Sequence, residues 1–279
     1  MPRTTSVYMD SIIDKAHPVL DKGFLRVVDY MGDQTSITQA ARVSYGAGIK
    51  KRSEDVGLLR YLMRHDHLTP FEMVIVKFHV KLPIFVARQW MRHRTSFNEY
   101  SARYSILSNE FYSPDADRLG VQSDINKQGT GHRFDDAVSS EILERLQTSA
   151  LESFDTYDTN IETGLSRELA RISLPMSTYT EFYWTVNLRS LLHFVALRSD
   201  HHAQKEIQDY SNLIGTIIEG WMPDVWSAFN DYHPLREAHT FSGPELQILL
   251  SLIDRSRLTE DALSKIPKRE REEFLSLLS

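Results

Sequence analysis

The chain contains no cysteine among its 279 residues. This absence excludes disulfide bonds, iron–sulfur clusters, cysteine-ligated zinc and catalysis by a thiolate, and it leaves the redox compartment open. No apolar run reaches the roughly 18 residues that a membrane-spanning helix needs. The first 22 residues carry scattered charges and no apolar stretch, so we expect no signal peptide. The default expectation is a cytoplasmic protein.

An excess of positive charge is also missing. Lysine and arginine number 32 against 38 for aspartate and glutamate, which gives a net charge of -6. We therefore expect no general binding to nucleic acid, although a local basic patch is compatible with this balance. A hydrophobic content of 41% and a charged content of 25% are ordinary for a globular protein with a substantial core.

The common cofactor and metal fingerprints are absent as well. Gly46-Ala47-Gly48 lacks the third glycine and the preceding strand of a dinucleotide-binding motif, and there is neither a P-loop nor an HExxH sequence. His65-x-His67 and Asp200-His201-His202 are short candidate metal ligands, but the sequence assigns no further ligands to either. We predict no metal site.

Strand and helix patterns occur in mixed order along the chain. Apolar and polar residues alternate in the strand patterns, whereas apolar residues recur every three or four positions in the helix patterns. The predicted strands are 24–30, 74–82 and 179–186. The predicted helices are 36–43, 54–65, 84–91, 137–162, 166–172, 187–200 and 203–219. Because strict βαβ alternation is lacking, we predict an α+β fold, with a mixed or antiparallel sheet and packed helices.

Two segments stand apart from this pattern. Residues 107–133 are rich in Ser, Asp, Asn and Gly and predict a long loop, of a kind that is usually functional or mobile. After Ser242-Gly243-Pro244, leucine-rich helical patterns cover 245–254 and 259–278. We therefore predict a main domain over 1–239 and a small helical C-terminal extension over 240–279.

The most unusual stretch is 88–104, which reads RQWMRHRTSFNEYSARY and contains Glu99 as its single acid. On a helix, Arg88 and Arg92 would share a face, and their repulsion would be relieved by an anion between them. Arginine offers forked donors that match phosphate oxygens, so the stretch indicates a phosphate site. A solvated basic face, or pairing with acids from elsewhere in the chain, is the alternative.

A second indication of an anion site follows the strand at 179–186. Asn187 suits a helix N-cap, and Arg189 then falls in the first turn, where the helix dipole disfavours a cation unless an anion binds. His193 lies one turn further on. Arg198 is nine residues from Arg189, on the opposite side of an ideal helix. If both arginines serve one site, either the helix breaks or several subunits meet there.

Several of these motifs resemble one family. Arg92-His93-Arg94, followed by Asn98-Glu99-Tyr100-Ser101-Ala102-Arg103-Tyr104, resembles the signature of the flavin-dependent thymidylate synthases. Other segments resemble that family in the same order, over about 21–232 of the chain. These segments are 40–44, 67–72, 83–90, 167–171, 183–191 and 198–208.

The resemblance implies a homotetramer of α+β subunits whose active sites lie between subunits. It implies the conversion of deoxyuridylate (dUMP) to thymidylate (dTMP), with FAD as cofactor and methylenetetrahydrofolate and NADPH as co-substrates. The absent cysteine agrees, because classical thymidylate synthases add a cysteine thiolate to uracil, whereas in this family reduced flavin carries the methylene group and then a hydride. Arg198 would be the catalytic residue, stabilising negative charge on the uracil ring.

The resemblance also implies binding residues. Those for FAD would be Thr69, Arg92, His93, Arg94, Glu99, Asn187, Arg189 and His193, with Ser44, His67, Glu72 and His202 nearby. Those for dUMP would be Gln89, Arg92, Glu99, Ser101, Arg103, Arg171 and Arg198. Other members carry asparagine where His193 stands. Ser101 is a nucleophile by residue type, but no His–Asp partner is evident beside it, so a substrate-binding role is favoured.

One departure from the family pattern is visible. Six residues separate Arg94 from Ser101, where the family pattern has seven. The missing residue could shift the two ends of the motif by up to about 3.5 Å of chain. A pyrimidine nucleotide hydroxymethylase is the alternative that follows from this difference. Two further alternatives stay open on other residues: a metal-dependent nucleotide phosphohydrolase using His65-Asp66 and Asp200-His201-His202, and a non-catalytic nucleotide- or RNA-binding protein using the arginine segment.

Overall fold

The computed structural model describes residues 4–43, 52–125, 127–234, 236, 238, 240–254 and 258–278. The chain divides into two compact units, Met1–Glu237 and Ala238–Ser279. The first unit contains the sheet and the residues singled out above. The division into domains at 239/240 stays a prediction, because compactness alone does not show that either part folds independently.

Nine helices of the first unit are described. In chain order they are α1 (Val7–Ile12), α2 (Gln34–Arg42), α3 (Arg52–Arg64), α4 (Ile84–Trp90), α5 (Asp136–Glu162), α6 (Arg167–Ala170), α7 (Leu188–Arg198), α8 (Lys205–Trp221) and α9 (Pro223–Tyr232). Short 3-10 turns cover Thr69–Met73, Ala116–Arg118 and Arg171–Ser173. In the described part of the chain, no helix is long and apolar enough to cross a membrane.

The strands form one five-stranded sheet and one hairpin. They are β1 (Ala16–Val19), β2 (Gly23–Met31), β3 (Ile75–Pro83), β4 (Ser96–Glu99), β5 (Gly120–Gln122), β6 (Thr130–Arg133) and β7 (Tyr179–Asn187). The large sheet has the order β1-β2-β3-β7-β4, and every neighbouring pair is antiparallel. The predicted α+β class with an antiparallel sheet is therefore confirmed.

β3 is the central strand of this sheet, and its buried and half-buried residues alternate. Val76, Phe78, Val80 and Leu82 are buried on one face, and the residues between them are only half-buried on the other. A strand buried on one face shows this period of two, and its pairing register is then strongly specified. Phe78 lies opposite Trp184 of β7 in the ladder. The sequence prediction of this strand is correct to within one residue at each end.

Trp90, the last residue of α4, joins the sheet to the helices. Its side chain is 0% exposed and contacts the rings of Phe182, Trp184, Phe194 and Tyr210, with centroids 4.6–5.7 Å away. These four residues come from β7, α7 and α8. The position of the arginine-rich segment that follows Trp90 is therefore set by the core.

Four local predictions need correction. The helix α2 begins at Gln34 and is capped by Asp33 in a capping box with Ser36, because the Asp33 carboxylate accepts the backbone N–H groups of Thr35 and Ser36. The helix α4 ends at Trp90, so Arg88 and Arg92 share no helix face. Segment 107–133 contains the β5–β6 hairpin and a 3-10 turn. The pattern at 259–278 is two helices, separated at Pro267.

Short elements account for most of what the sequence missed. The strands β1 and β4 have four residues each, too few for a clear alternation, and α1 has six. The ten-residue helix α9 was also not predicted; Pro223 stands at its first position. The β4 strand matters most, because it lies within the arginine-rich segment.

The second unit is described by itself. It contains α10 (Gly243–Leu252), α11 (Glu260–Ser264) and α12 (Lys268–Leu277). The Ser242 side chain caps α10 in a capping box with Glu245, which agrees with the predicted start of a helical segment here.

Replacing Trp90 by alanine tests the role of this side chain in the core. We expect Trp90→Ala to lower the free energy of unfolding by about 3–5 kcal/mol, because the cavity left among four aromatic rings cannot close fully. Urea denaturation followed by circular dichroism measures the change. Val7→Ala, at a side chain that is 90% exposed, serves as control and should change stability little. Equal losses in the two variants would contradict this account.

Candidate active site

The first unit contains a cavity of about 730 Å³ along helix α7, called the main cavity below. Its size is within the range of small-molecule sites. Its walls come from α7, from the segment after α4, and from the ends of α3 and α9. Seven residues singled out in the sequence line it: Asp66, Arg92, His93, Arg94, Arg189, His193 and Arg198.

Positive charge dominates the main cavity. Four arginines line it, and Asp66 is the single acid among its described lining residues. Burial lowers the pKa of Arg198, and the nearby charge of Arg92 lowers it further. Such repulsion between neighbouring cations is relieved when an anion binds. The main cavity therefore fits a ligand that carries phosphate groups, as a flavin dinucleotide or a nucleotide does.

Arg198 is held by two hydrogen-bond acceptors. Its Nε–H donates to Nε2 of His93 at 2.9 Å, and its Nη2–H donates to the backbone carbonyl of Gln89 at 3.1 Å. His93 can accept at Nε2 only as a neutral imidazole. Burial lowers the pKa of His93 to about 4, with contributions from the charges of Arg198 and His193. The guanidinium is thus a fixed positive charge, oriented by a neutral histidine.

The N-terminus of α7 is capped as expected. The Asn187 side-chain oxygen accepts the backbone N–H of Ser190 at 2.9 Å. The charge of Arg189, in the first turn of α7, is partly balanced, because its guanidinium donates a hydrogen bond to the Glu72 carboxylate at 2.7 Å. Arg189 and Arg198 line the same cavity from the two ends of an unbroken helix. The sequence predicted that a shared site would need a broken helix or a second subunit. That prediction is wrong, because one unbroken helix brings both arginines to one cavity.

The connection after Arg94 forms a regular strand. Ser96 pairs with Thr185, and the register advances one residue at a time until Glu99 pairs with Phe182. Just before β4, the indole N–H of Trp184 donates to the Thr95 hydroxyl. The six-residue spacing is therefore accommodated in a continuous ladder that is fixed at its start.

Three of the residues expected to bind dUMP form a separate group around Glu168. Arg103 makes a salt bridge to the Glu168 carboxylate at 3.0 Å, and Arg171 donates to the Glu168 backbone carbonyl at 3.4 Å. Ser101 accepts the backbone N–H of Arg103 at 3.3 Å. None of these three residues is among the described residues that line the main cavity. One copy of the chain therefore separates these three residues from Arg92 and Arg198, which line the main cavity.

The other described residues predicted to bind FAD or dUMP do not line the main cavity. Gln89 donates to the Gln204 side chain at 2.5 Å, and Glu99 accepts from the Thr180 hydroxyl at 2.9 Å. Thr69 is exposed at the start of a 3-10 turn that also contains Glu72. His67 packs against Tyr61, with ring centroids 6.0 Å apart. Ser44 and the glycines at 46–48 lie outside the described residues.

The histidine clusters form exposed groups. The ligand atoms of Asp200, His201 and His202 lie within 4.8 Å of one another, so they could hold an ion. Backbone and side-chain hydrogen bonds from His202 already engage Asp200 and lower the pKa of its carboxyl group. His65 packs on Tyr61, with ring centroids 4.3 Å apart. The expectation of no metal site stays a prediction.

Part of the main cavity was not foreseen from the sequence. Phe229 and His233 line it from the end of α9. Burial lowers the pKa of His233, and the nearby His193 and Arg236 lower it further. No local pattern marks these residues, because only the packing of α9 against α3 brings them to the cavity.

The fold and the cationic cavity together define an α+β protein suited to phosphorylated ligands. Comparison with known proteins is more specific. A family model described as "Thymidylate synthase complementing protein" matches residues 26–224. Flavin-dependent thymidylate synthases of Wolbachia pipientis wMel and Gluconobacter oxydans are 50% and 48% identical to the chain. These alignments cover 99% of this chain and 96% and 91% of the two relatives.

A solved structure agrees with the sequence relatives. The UMP/dUMP methylase PolB of Streptomyces cacaoi, bound with 5-Br UMP, superposes with a TM-score of 0.70 at 33% identity. The match covers 77% of this chain and 96% of PolB. The chain therefore belongs to the family of flavin-dependent thymidylate synthases, which are methyltransferases.

The neutral state of His93 predicts a pH dependence of stability. His93 has a pKa of about 4 when folded and an ordinary value of 6.5. As pH falls through this interval the unfolded chain takes up a proton that the folded chain does not, so stability is full above 6.5 and decreases toward 4. Urea midpoints at about pH 7 and about pH 5 measure the loss.

His93→Gln is the matched variant, because an amide oxygen can still accept from Arg198 but does not titrate. We expect its stability to depend less steeply on pH than that of the wild type. His233, whose pKa is also lowered, contributes the same sign in both proteins. Identical slopes for wild type and variant would contradict a neutral His93.

Proposed function

We propose that the chain catalyses the reductive methylation of dUMP to dTMP, with methylenetetrahydrofolate as carbon donor and NADPH as reductant of FAD. The observation that carries this proposal is Arg198, a charged guanidinium held by His93 and Gln89 in a cavity that three further arginines line. Family membership supports the same reaction. The charged substrates do not cross membranes unaided, so we place the enzyme in the cytoplasm with them.

The role of Arg198 follows from its charge. FAD, once reduced, supplies the methylene transfer and the hydride that the chain itself cannot provide. A fixed guanidinium beside the uracil ring stabilises negative charge that develops near N3, and this increases the electron density at C5, where the new carbon bond forms. No proton leaves Arg198, because guanidinium stays protonated. The positive charge of Arg198 thus activates the uracil ring, which a cysteine thiolate does in classical thymidylate synthases.

The other cavity residues bind and orient ligands. We assign FAD to Arg92, His93, Arg94, Arg189 and His193, all of which line the main cavity. Thr69, Glu99 and Asn187 complete the proposed set of FAD contacts. The arginines offer forked donors to phosphate oxygens. Leu192, Leu197 and Phe229 line the same cavity and exclude water from part of it, which strengthens every electrostatic interaction inside.

The separate group around Glu168 supports a site shared between subunits. We propose that dUMP is bound by Gln89, Arg92, Glu99, Ser101, Arg103, Arg171 and Arg198, with the two groups supplied by different copies of a homotetramer. Exposed apolar side chains adjoin Arg171: Leu169 is 51% exposed, Ile172 80% and Met176 63%. Adjoining exposed apolar side chains beside functional arginines are typical of an interface.

The alternatives are less well supported. A hydroxymethylase was considered because the connection after Arg94 is one residue short, but β4 forms a continuous ladder with β7. PolB, described as a UMP/dUMP methylase and bound with a pyrimidine nucleotide analogue, supports a pyrimidine nucleotide as substrate. A metal phosphohydrolase would depend on the exposed Asp200-His201-His202 group, where the acid is already engaged.

Two single variants separate chemistry from cofactor binding. We expect Arg198→Ala to lower kcat by about 100- to 1,000-fold with little change in FAD affinity, because a charge that acts in the transition state is lost. Arg189→Ala should instead weaken FAD binding. Tritium release from labelled dUMP measures turnover, and titration of the apoprotein followed by visible flavin absorbance measures FAD affinity. Arg198→Lys, which keeps the charge, should retain more activity than Arg198→Ala. Equal effects of the two alanine variants on both quantities would refute the assignment.

Mixing inactive variants tests the shared site. Arg198→Ala and Arg171→Ala chains, refolded or co-expressed together, should regain activity several-fold above either alone, because some sites then receive both intact groups. A mixture of Arg198→Ala and Arg92→Ala is the control: both residues line the main cavity of one copy, so no activity should return. Light scattering on the same samples checks for the tetramer. Recovery in neither mixture, with tetramers present, would place the whole site within one copy.

A further inference from the structure

The single acid of the stretch 88–104 is held by a hydroxyl group. Glu99 is the last residue of β4, and its Oε1 accepts a hydrogen bond from the Thr180 hydroxyl of β7 at 2.9 Å. In the described part of the chain, no cation forms a salt bridge with Glu99, and Arg103 pairs with Glu168 instead. No described residue donates a hydrogen bond to its Oε2. One oxygen of this carboxylate is therefore engaged by a neutral partner, and the other can accept from a ligand.

The pairing register explains why these two side chains meet. Glu99 lies opposite Phe182 in the β4–β7 ladder, so their side chains share one face of the sheet. Side chains alternate along a strand, which places Thr180, two residues before Phe182, on that same face. Phe182 is 1% exposed and contacts the ring of Trp90 in α4. The Glu99 carboxylate therefore lies on the side of the sheet that carries α4.

Thr180 is fixed by the core, whereas Glu99 is not. Thr180 is 6% exposed and pairs with Leu82 of the central strand β3, and its β-branched side chain has few rotamers. Glu99 is exposed at the end of an edge strand. A long carboxylate side chain at such a position samples several rotamers, and a ligand that must restrict them loses affinity. The hydrogen bond from Thr180 makes this restriction before the ligand binds.

Glu99 lies in the chain between residues that serve two different parts of the site. Arg94, five residues before it, lines the main cavity, whereas Ser101, two residues after it, belongs to the group around Glu168. Glu99 is not among the described residues that line the main cavity. A carboxylate accepts hydrogen bonds and repels phosphate. Its free oxygen therefore fits an O–H or N–H donor on the nucleoside portion of dUMP.

We propose that Thr180 is a positioning residue for dUMP. Its buried hydroxyl engages one oxygen of Glu99 and thereby directs the other oxygen toward the nucleoside portion of the substrate. Thr180 acts through Glu99 and does not itself contact dUMP. The proposal rests on the proposed function, because that function makes dUMP the ligand of Glu99.

Removal of this one hydroxyl tests the role. Thr180→Val keeps the β-branched shape, and we expect it to raise the dissociation constant of dUMP about five- to ten-fold, because dUMP must then order the carboxylate itself. Thr180→Ser keeps the hydroxyl and should bind dUMP within about two-fold of the wild type. Calorimetric titration of dUMP into FAD-loaded protein measures these values. The KM for dUMP should rise by the same factor in Thr180→Val, with a smaller change in kcat.

The chain contains a matched control two residues earlier. Thr178 is 0% exposed, and its hydroxyl has no hydrogen-bond partner among the described residues. Thr178→Val removes the same group from a similarly buried position, so the affinity for dUMP should not change. Thermal unfolding of all variants verifies that they are folded. A loss of dUMP affinity in Thr178→Val as large as that in Thr180→Val would overturn the proposal.

A double-mutant cycle separates positioning from a general effect on the fold. In a Glu99→Ala chain, Thr180→Val should cause no further loss of dUMP affinity, because its hydroxyl then has no carboxylate to hold. An undiminished loss in that chain, an unchanged dissociation constant in Thr180→Val, or a loss confined to FAD binding would overturn the proposal.

The same titrations distinguish this proposal from the proposed function, because they need no turnover. A wild-type protein that binds dUMP and makes no dTMP would refute the proposed function. Binding of dUMP that depends on Thr180 only when Glu99 is present would still support the positioning role in that protein.

Discussion

A half-buried arginine that keeps its charge beside other arginines is the constraint on which this active site depends. Arg198 lies near Arg92, and burial and that neighbour both lower its pKa. Two uncharged acceptors hydrogen-bond to its guanidinium: the neutral imidazole of His93 and the backbone carbonyl of Gln89. A carboxylate in their place would neutralise the guanidinium and remove the field that an anionic ligand requires.

The fold concentrates this charge through one helix and one aromatic cluster. The helix α7 brings Arg189 and Arg198 to a single cavity from its two ends. Trp90, packed on β7, α7 and α8, sets where the following arginines emerge. The rigidity of the core is thus transmitted to residues that lie just beyond a helix end, where the backbone alone would leave them free to move.

Sequence reasoning recovered what repeats locally. The β3 alternation, the Asn187 cap and the long helix α5 are each specified by residues close together in the chain, and all agree with the structure. It placed Arg88 and Arg92 on one helix face, whereas α4 ends at Trp90 and the chain from Ser96 pairs with β7 instead. It did not foresee His233, which only tertiary packing brings to the cavity, and the compensation of Arg189 by Glu72 was likewise invisible along the chain.

The short β4 strand limits how the length of the segment between Arg94 and Glu99 can vary. It lies at one border of the five-stranded sheet and pairs with β7 residue by residue. Successive side chains of a strand point to opposite faces, so adding one residue between Arg94 and Glu99 would turn every later side chain over unless a bulge absorbed it. Related chains that differ in the length of this segment should therefore differ by two residues, or by one residue that forms a bulge. Chimaeras that exchange the segment should also exchange β7, with which it pairs.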